Sequence, residues 1–232
     1  MHIHSCLSPC AELEMSPRNI IEAALKSGLD IIGICDHNSC ENVPYVKKSG
    51  ENAGVLVKGG MEVTSKEEVH ILAFIEDDEH LFTMQELIYE HLYGTNDDRL
   101  YGDQVIVNED DEVMGFNRRL LIGAADLSVE DIVAQIHEFN GLAIASHIDR
   151  DSFSIISQLG FVPEGLQIDA YEVSNKNEMN TYTDDYSPLV TFSDAHKLQD
   201  IGKQFSHFYM DQATLEEMGK ALNGENGRQL IL

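Results

Sequence analysis

Short apolar segments recur along the chain, and a histidine or an acidic residue follows most of them. The predicted strands cover residues 29–35, 54–58, 69–75, 142–145, 170–173 and 189–192. Amphipathic helical patterns separate most of these segments, and such alternation is typical of right-handed βαβ units. At 232 residues the chain has the size of one α/β barrel. The pattern therefore predicts a single α/β domain over residues 1–232, with its strands arranged in parallel.

Local signals predict where several helices begin. Ser16 followed by Pro17 is a favourable start, since serine caps a helix and proline fits its first position. Ser128 and Asp131 have the spacing of a capping box at the start of a second helix. Asp151 is expected to cap a short helix after the strand at 142–145. These helices would pack their apolar faces against the strands.

Residues 93–127 interrupt the alternation of strands and helices. Within them, residues 104–107 and 113–115 flank a polar turn, which predicts a β-hairpin. We interpret the segment as an insertion within the domain. It is expected either to cover the site as a lid or to be a solvated decoration, and the second alternative is favoured.

Most polar residues at the strand ends belong to types that bind transition metals. His2 and His4 lie in the first predicted strand, where residues two apart point to the same side. The other candidates are His37, Glu62, His70, His147, Asp194 and His196. The carboxyl ends of parallel barrel strands meet at one face, where the active sites of such folds lie. His70 lies instead near the start of its strand. The sequence predicts one metal centre of imidazoles and carboxylates.

The composition restricts the possible partners and the location. Fifteen basic and 41 acidic residues give a net charge of −26. Such a surface repels phosphate backbones, so broad binding to duplex nucleic acid or to an anionic membrane is not expected. No apolar stretch is long enough to span a membrane, and no signal peptide is recognised. The four cysteines are interpreted as reduced thiols, which makes a cytoplasmic location the expectation.

The order of the short motifs resembles that of the PHP (polymerase and histidinol phosphatase) family. The motifs are His2-Ile3-His4, Asp36-His37-Asn38, Gly60-Met61-Glu62, Val69-His70, Ser146-His147 and Ser193-Asp194-Ala195-His196. The resemblance covers nearly the whole chain, and residues 76–127 contribute least to it. It implies a distorted (β/α)7 barrel of the PHP type, up to three metal ions and phosphoesterase activity.

Carried over position by position, the resemblance also implies which residues hold each ion. The first ion would have four ligands, namely His2, His4, Glu62 and Asp194. Glu62 would bridge to a second ion held by His70 and His147, and His37 and His196 would hold a third. The histidinol-phosphatase branch completes the third site with a histidine at position 10. This chain has Cys10 there, which is either a thiolate ligand or a structural thiol. Two or three divalent ions of Mn, Zn or Fe are expected.

Asp194, His196 and Arg150 are predicted to be the catalytic residues. Arg150 follows His147 by three residues and would either grip a phosphate group bidentately or form a surface salt bridge. Lys197 is a weaker candidate for the same role. Asp36 is expected to orient a ligand or to be an additional ligand. The remaining histidines, which are His80, His91, His137 and His207, are expected to lie outside the site.

The predicted function is hydrolysis of a small phosphorylated metabolite or nucleotide. Clustered divalent ions lower the pKa of a bridging water to about 7 and orient the phosphoryl oxygens, so attack by this water needs no protein nucleophile. Three alternatives remain open at this point. They are a 5′-to-3′ exonuclease on short RNA or DNA, a metal-dependent amidohydrolase, and a PHP-like module that binds metal without catalysis. The sequence does not indicate an oligomeric state.

Overall fold

The structure, a computed structural model, describes residues 1–231. The helices are α1 Pro17–Lys26, α2 Val43–Ala53, α3 Asp78–His91, α4 Asp98–Tyr101, α5 Val129–Glu138, α6 Ile155–Leu159, α7 Met179–Tyr182 and α8 Leu215–Leu222. The strands are β1 Ile31–Ile34, β2 Leu56–Thr64, β3 His70–Phe74, β4 Val105–Val107, β5 Val113–Phe116, β6 Leu142–Ala145, β7 Ala170–Glu172, β8 Leu189–Val190, β9 His207–Tyr209 and β10 Gln229–Ile231. Within residues 1–231, no helix has the length and apolar character needed to cross a membrane.

The main sheet has six strands in the order β1-β2-β3-β6-β7-β8. Three neighbouring pairs are parallel: β1 with β2, β6 with β7, and β7 with β8. β3 runs antiparallel to both β2 and β6. The prediction of an unbroken series of βαβ units is therefore wrong at this point, because the short turn at residues 65–69 joins β2 to β3 without a helix. The reversal brings the start of β3 to the face where its neighbours end.

The first segment of the chain closes this sheet through one residue. Ile3 forms parallel bridges to Ile34 in β1 and to Ala195, which lies just beyond β8. Backbone hydrogen bonds of 2.9–3.1 Å flank Ile3 on both sides. With Ile3 counted as a seventh strand, the sheet is a distorted (β/α)7 barrel, as predicted.

Two of the predicted helix starts are confirmed and one is wrong. Pro17 is the first residue of α1, and Ser128 forms a capping box with Asp131 at the start of α5. Asp151 does not cap α6, because Ser154 occupies that position and accepts a backbone hydrogen bond with its side chain. The apolar faces of α1 and α5 are buried. Each buried isoleucine side chain on these faces contributes about 1.5–3 kcal/mol.

The segment at residues 93–127 contains the predicted hairpin but is not a solvated decoration. β4 and β5 pair antiparallel. The Asn42 side chain exchanges two hydrogen bonds, of 3.0 and 3.1 Å, with the backbone of β4. The Asn38 side chain donates to the carbonyls on either side of Ile122, at 2.8 and 2.7 Å. Ile122 itself lies in the wall of the cavity described below, so the segment is part of the site.

Candidate metal centre

The predicted ligand residues converge at one face of the barrel. His37 lies in the loop after β1, and His147 lies in the loop after β6. Asp194 and His196 follow β8, and Glu62 lies within β2. His70 belongs to the same group because β3 is reversed and begins at this face. These side chains surround a cavity of about 200 Å³. Its lining residues are Cys10, His37, Glu62, His70, Ile122, His147, Arg150, Ser152, Phe153, Asp194 and His196.

The carboxylate of Glu62 lies at the centre of this arrangement. Five imidazole nitrogens approach its two oxygens at 2.9–3.4 Å; they belong to His2, His4, His37, His70 and His147. The shortest distance, 2.9 Å, joins Glu62 Oε1 to His70 Nδ1. Burial alone would raise the pKa of Glu62, but the imidazoles of His70 and His2 lower it well below its ordinary value. Glu62 is therefore a carboxylate, placed where one residue can contact more than one ion.

His2 is oriented by an acidic residue that the sequence analysis missed. Glu172, at the end of β7, is fully buried, and its oxygens lie 3.0 and 3.2 Å from His2 Nδ1. A carboxylate only accepts hydrogen bonds, so His2 carries a proton on Nδ1 and turns Nε2 towards Glu62 and Asp194. An acid within the otherwise apolar segment Ala170-Tyr171-Glu172-Val173 was the available signal.

His4 is oriented in the same way through Ser8. The Ser8 hydroxyl donates its one proton to Asp36 at 2.6 Å, so it accepts from His4 Nδ1, which lies 2.9 Å away. This leaves His4 Nε2 with a free lone pair. Burial, followed by the neighbouring His196, lowers the pKa of His4 to about 4, so its imidazole is neutral at pH 7. Asp36 is thus an orienting residue that acts through Ser8, one of the two roles predicted for it.

These constraints test whether the site fits a cation. The Nε2 atoms of His2 and His4 lie 3.1 Å apart, and Asp194 Oδ1 lies 3.3 and 3.2 Å from them. Two imidazole nitrogens and a carboxylate oxygen approach one another this closely only with a positive charge between them, which is either the proton of His2, whose pKa, despite burial, is raised by the nearby carboxylates, or a metal ion in its place. In addition, Glu62 Oε1, Asp194 Oδ1, His37 Nδ1, His70 Nδ1 and His147 Nδ1 are buried without a hydrogen-bond partner among the described residues. Imidazole and carboxylate donors suit Zn, Mn or Fe, so the residues fit the predicted ions.

The remaining ligand atoms form a separate corner. Ligand atoms of His4, Cys10, His37 and His196 lie within 4.8 Å of one another. Although part of Cys10 is exposed, its thiol lines the cavity. Loss of contact with water, together with the negative charges of Glu62 and Asp194, raises the pKa of this thiol to about 12. Burial also lowers the pKa of His37 well below its ordinary value, so this imidazole is neutral.

Strained backbone positions occur among the site residues. His147, Phe153 and Asp194 have φ angles of 27°, 59° and 42°. Non-glycine residues adopt this left-handed region rarely, at a cost of about 1–3 kcal/mol each. Phe153 also stacks on His70, with 4.6 Å between the ring centroids. The fold thus holds two ligand residues and a residue of the cavity wall in positions that relaxed loops seldom adopt.

The two basic candidates, Arg150 and Lys197, differ in their position relative to the cavity. Arg150 lines the cavity, and its Nη1 lies 2.6 Å from Asp194 Oδ2, so it is connected to the site. Lys197 pairs instead with Glu12 at the exposed surface, 2.9 Å away, which contradicts a role in the cavity. His80, His91, His137 and His207 do not line the cavity, as predicted.

A barrel that brings this many histidines and carboxylates to one face has several residue groups that could hold a metal ion. The sequence profile of the PHP domain matches residues 1–149. This match covers more than half of the chain, and the chain belongs to the PHP domain family.

Known proteins extend this comparison. The uncharacterised protein YqxK of Bacillus subtilis (strain 168) is 28% identical over 111 residues, which is 42% of this chain and 27% of YqxK. The lesion-specific endonuclease EndoQ of Pyrococcus furiosus superposes with a TM-score of 0.74 at 21% identity, covering 100% of this chain and 57% of that one. A putative metal-dependent phosphoesterase of Bifidobacterium adolescentis has a TM-score of 0.59 at 17% identity, covering 88% and 90% of the two chains. The chain thus spans about a quarter of YqxK and little more than half of EndoQ.

Proposed function

We propose that the chain is a metal-dependent phosphoesterase that hydrolyses phosphate esters in the cavity around Glu62. The observation that carries the proposal is the convergence of imidazole and carboxylate ligand atoms on one point. His2 Nε2, His4 Nε2 and Asp194 Oδ1 lie within 3.3 Å of one another, and each of the two histidines has its other nitrogen engaged. Such a group is costly to bury without a cation. Membership of the PHP domain family supports the same reaction class.

The proposed ligand sets are those that the family resemblance implies, and the grouping of His2, His4 and Asp194 and of Cys10, His37 and His196 supports two of them. One ion would be held by His2, His4, Glu62 and Asp194, and a second by Glu62, His70 and His147. A third would be held by Cys10, His37 and His196. Divalent ions at these positions supply a coordinated water with a pKa of about 7 and polarise the phosphoryl oxygens. Mn, Zn and Fe all suit the donor set.

The chain's own residues bind and orient the substrate in this proposal. The Arg150 guanidinium is partly exposed at the cavity and held by Asp194 Oδ2, so its remaining N–H groups are available to a phosphate oxygen. Asp194 has two tasks, because its Oδ1 faces the imidazoles while its Oδ2 fixes Arg150. His196 Nδ1 lies 3.1 Å from the Asp194 carbonyl, which leaves Nε2 as its ligand atom. We therefore assign Asp194 and His196 to metal binding and Arg150 to the phosphate.

The size and charge of the site favour a small substrate. A cavity of about 200 Å³ is smaller than the roughly 300–1,000 Å³ typical of small-molecule pockets. The net charge of −26 disfavours a long polyanion that would cross the surrounding surface. A small phosphorylated metabolite or a nucleotide is therefore the leading substrate class. We expect the protein to act in the cytoplasm, where such substrates are found.

A second candidate is cleavage of nucleic acid. EndoQ, which superposes on the whole of this chain, was also solved in complex with a 27-mer duplex that has an abasic lesion at the active site. That chain is longer than this one. The fold likeness supports phosphodiester cleavage as the alternative, including the 5′-to-3′ exonuclease activity considered from the sequence.

A substrate and metal panel tests both candidates. The full chain is stripped with a chelator, reloaded separately with Mn, Zn or Fe(II), and assayed for phosphate release from nucleoside monophosphates and sugar phosphates. The same preparations are incubated with 5′-phosphorylated single strands and with duplexes containing an abasic site. Phosphate release from small esters only supports the leading candidate, and strand cleavage only supports the second. If a protein shown to hold its ions turns over neither class, the phosphoesterase proposal is wrong and the non-catalytic alternative stands.

A further inference from the structure

The corner formed by Cys10, His37 and His196 differs in chemistry from the rest of the centre. The other proposed ligands are imidazoles and carboxylates, whereas this corner contains a sulfur atom. We propose that Cys10 binds as a thiolate and makes this corner selective for a thiophilic ion, Zn, Co or Fe(II), over Mn. The proposal rests on the metal centre described above, and it deepens that proposal by assigning different ions to different positions.

His4 does not complete the corner, although its ring is near. Its Nδ1 is engaged by Ser8 at 2.9 Å, so only Nε2 is free. That atom lies 3.1 Å from His2 Nε2 and 3.2 Å from Asp194 Oδ1, which belong with it to the first proposed ligand set. A single lone pair binds one ion. The corner therefore has three protein donors, the number that catalytic zinc sites use while leaving a fourth position for water or substrate.

The loop that carries Cys10 is held in place from both directions. Glu12 N–H donates to the His196 carbonyl at 2.9 Å, which ties the chain just after Cys10 to another residue of the corner. On the opposite side, the backbone of Gly102 packs so closely on Pro9 that a Cβ there would lie 2.7 Å from the Pro9 carbonyl oxygen. Such support keeps the thiol beside the imidazoles without the help of an ion.

A purely structural role does not account for this cysteine. Cys6, Cys35 and Cys40 are buried within apolar clusters, as structural thiols usually are. Cys10 is the exposed one of the four, and the residues grouped with it in the corner are histidines. His37, which belongs to this corner, is buried, and its Nδ1 has no hydrogen-bond partner among residues 1–231 although it lies 3.3 Å from Glu62 Oε2. The donor set of the corner points to an ion, and its sulfur points to a soft one.

Binding would replace the thiol proton. The sulfur electron pair becomes the bond to the ion, and the proton is released to the solvent. Loading of this corner is therefore accompanied by release of the Cys10 thiol proton.

Cobalt titration of the full chain tests the proposal, because thiolate ligands of Co(II) produce a charge-transfer absorption that nitrogen and oxygen ligands lack. Metal-free wild type, Cys10→Ser, Cys10→His and the control Cys6→Ser are titrated in parallel, and bound metal is counted after gel filtration. Wild type and Cys6→Ser are expected to show the absorption. Cys10→Ser should lose the absorption and bind Zn at this corner at least about tenfold more weakly. Cys10→His should keep the bound metal without the absorption and should bind Mn there better than wild type.

Two results would overturn the proposal. One is a wild-type spectrum identical to that of Cys10→Ser at equal metal content. The other is a ratio of Zn affinity to Mn affinity that is the same in wild type and in Cys10→His. X-ray absorption of the Zn-loaded protein gives an independent measure, since a bound thiolate adds a sulfur neighbour at about 2.3 Å. None of these measurements uses a substrate, so they are independent of whether the protein proves to be a phosphoesterase.

Discussion

Two buried glutamates illustrate the difference between a carboxylate that holds the fold and one that serves the site. Glu217 on α8 accepts hydrogen bonds from the Arg228 side chain at 2.8 Å, from Lys220 at 3.0 Å and from the Asp211 amide at 3.1 Å. All of these partners are donors with fixed protons. Glu62 instead faces five imidazole nitrogens, and one of its oxygens has no hydrogen-bond partner among the described residues.

The pKa values of the two carboxyl groups are lowered for different reasons. Hydrogen bonds from Arg228 and Lys220 lower the pKa of Glu217 to about 2. For Glu62, burial works in the opposite direction, and the charges of His70 and His2 together with hydrogen bonds from His147 and His2 hold the pKa low. The charge of Glu217 is balanced by cationic side chains of the protein. The charge of Glu62 is balanced by imidazoles that can lose their protons or by the proposed metal ions. Substitutions at these two glutamates and at residues near the cavity test this distinction.

The largest effect is expected for Glu62→Gln. The substitution keeps the size of the side chain but removes the negative charge that the proposed ions share. We expect phosphoesterase activity to fall by more than the roughly 10–100-fold typical of residues outside the ligand shell. Thermal stabilisation by added Zn should also shrink from the ~2.7 kcal/mol expected at a ligand concentration of 100 Kd. Phosphate release and thermal unfolding with and without metal measure both effects.

Glu217→Gln is the matched control for this experiment. Its activity and its metal-induced stabilisation should equal those of wild type, because Glu217 belongs to a surface ion cluster away from the cavity. Equal losses of metal-induced stabilisation in both variants would mean that Glu62 has no special role. Circular dichroism establishes that each variant is folded.

A smaller effect is expected for Glu172→Gln. The amide still accepts one hydrogen bond from His2 Nδ1 but no longer provides the negative charge that raises the pKa of His2. Metal affinity should fall by about 10–100-fold, measured by competition with a coloured chelator. Glu164→Gln, an exposed position outside the cavity, provides the control. An unchanged affinity in Glu172→Gln would show that orientation of His2 does not depend on this carboxylate.

Arg150→Ala tests substrate binding separately from metal binding. We expect KM for a phosphate ester to rise about tenfold, equivalent to ~1.4 kcal/mol, which is modest for a charge-assisted hydrogen bond because the side chain is partly exposed. Metal stoichiometry should not change. The control is Arg99→Ala, whose side chain is exposed and pairs with Asp97. A fall in bound metal with no change in KM would show that Arg150 only positions Asp194 and does not bind the substrate.

The smallest effect concerns stability and its dependence on pH. The folded-state pKa of Glu217 is lowered, so its charge stabilises the fold above the unfolded-state pKa of about 4.5. This contribution is lost as the pH falls through the window towards 2. Glu217→Gln should therefore lower the urea midpoint slightly at pH 7, and the difference from wild type should narrow between pH 4.5 and 2. A difference that stays constant across this window would show that the ion pairs contribute nothing.

The sequence was informative where residues that can bind metals directly follow a predicted strand. The residues after β1, β6 and β8 were predicted correctly as neighbours, because parallel strands bring their ends to one face. His70 was included among the candidate ligands although it lies near the start of its strand, and nothing in the pattern of residues 65–69 indicated that β3 reverses.

Other features depend on contacts that no local pattern encodes. Glu172 lies 170 residues from His2, and the interaction appears only once the barrel closes. The contribution of Ile122 to the cavity wall likewise depends on the side chain of Asn38, which holds the backbone on both sides of it. Burial of polar groups is what distinguishes such residues, and burial is a property of the folded chain.

The single-residue bridge at Ile3 connects folding to chemistry. It closes the barrel by contact with only Ile34 and Ala195, the narrowest seam of the sheet. The flanking residues, His2 and His4, are proposed ligands that share an ion with groups on other strands. A bound ion would cross-link this seam, because its ligands belong both to the first segment of the chain and to the strands at the edges of the barrel. Loss of metal would then loosen the closure of the sheet itself, and the amide of Cys35, which donates to the Ile3 carbonyl, would report that opening.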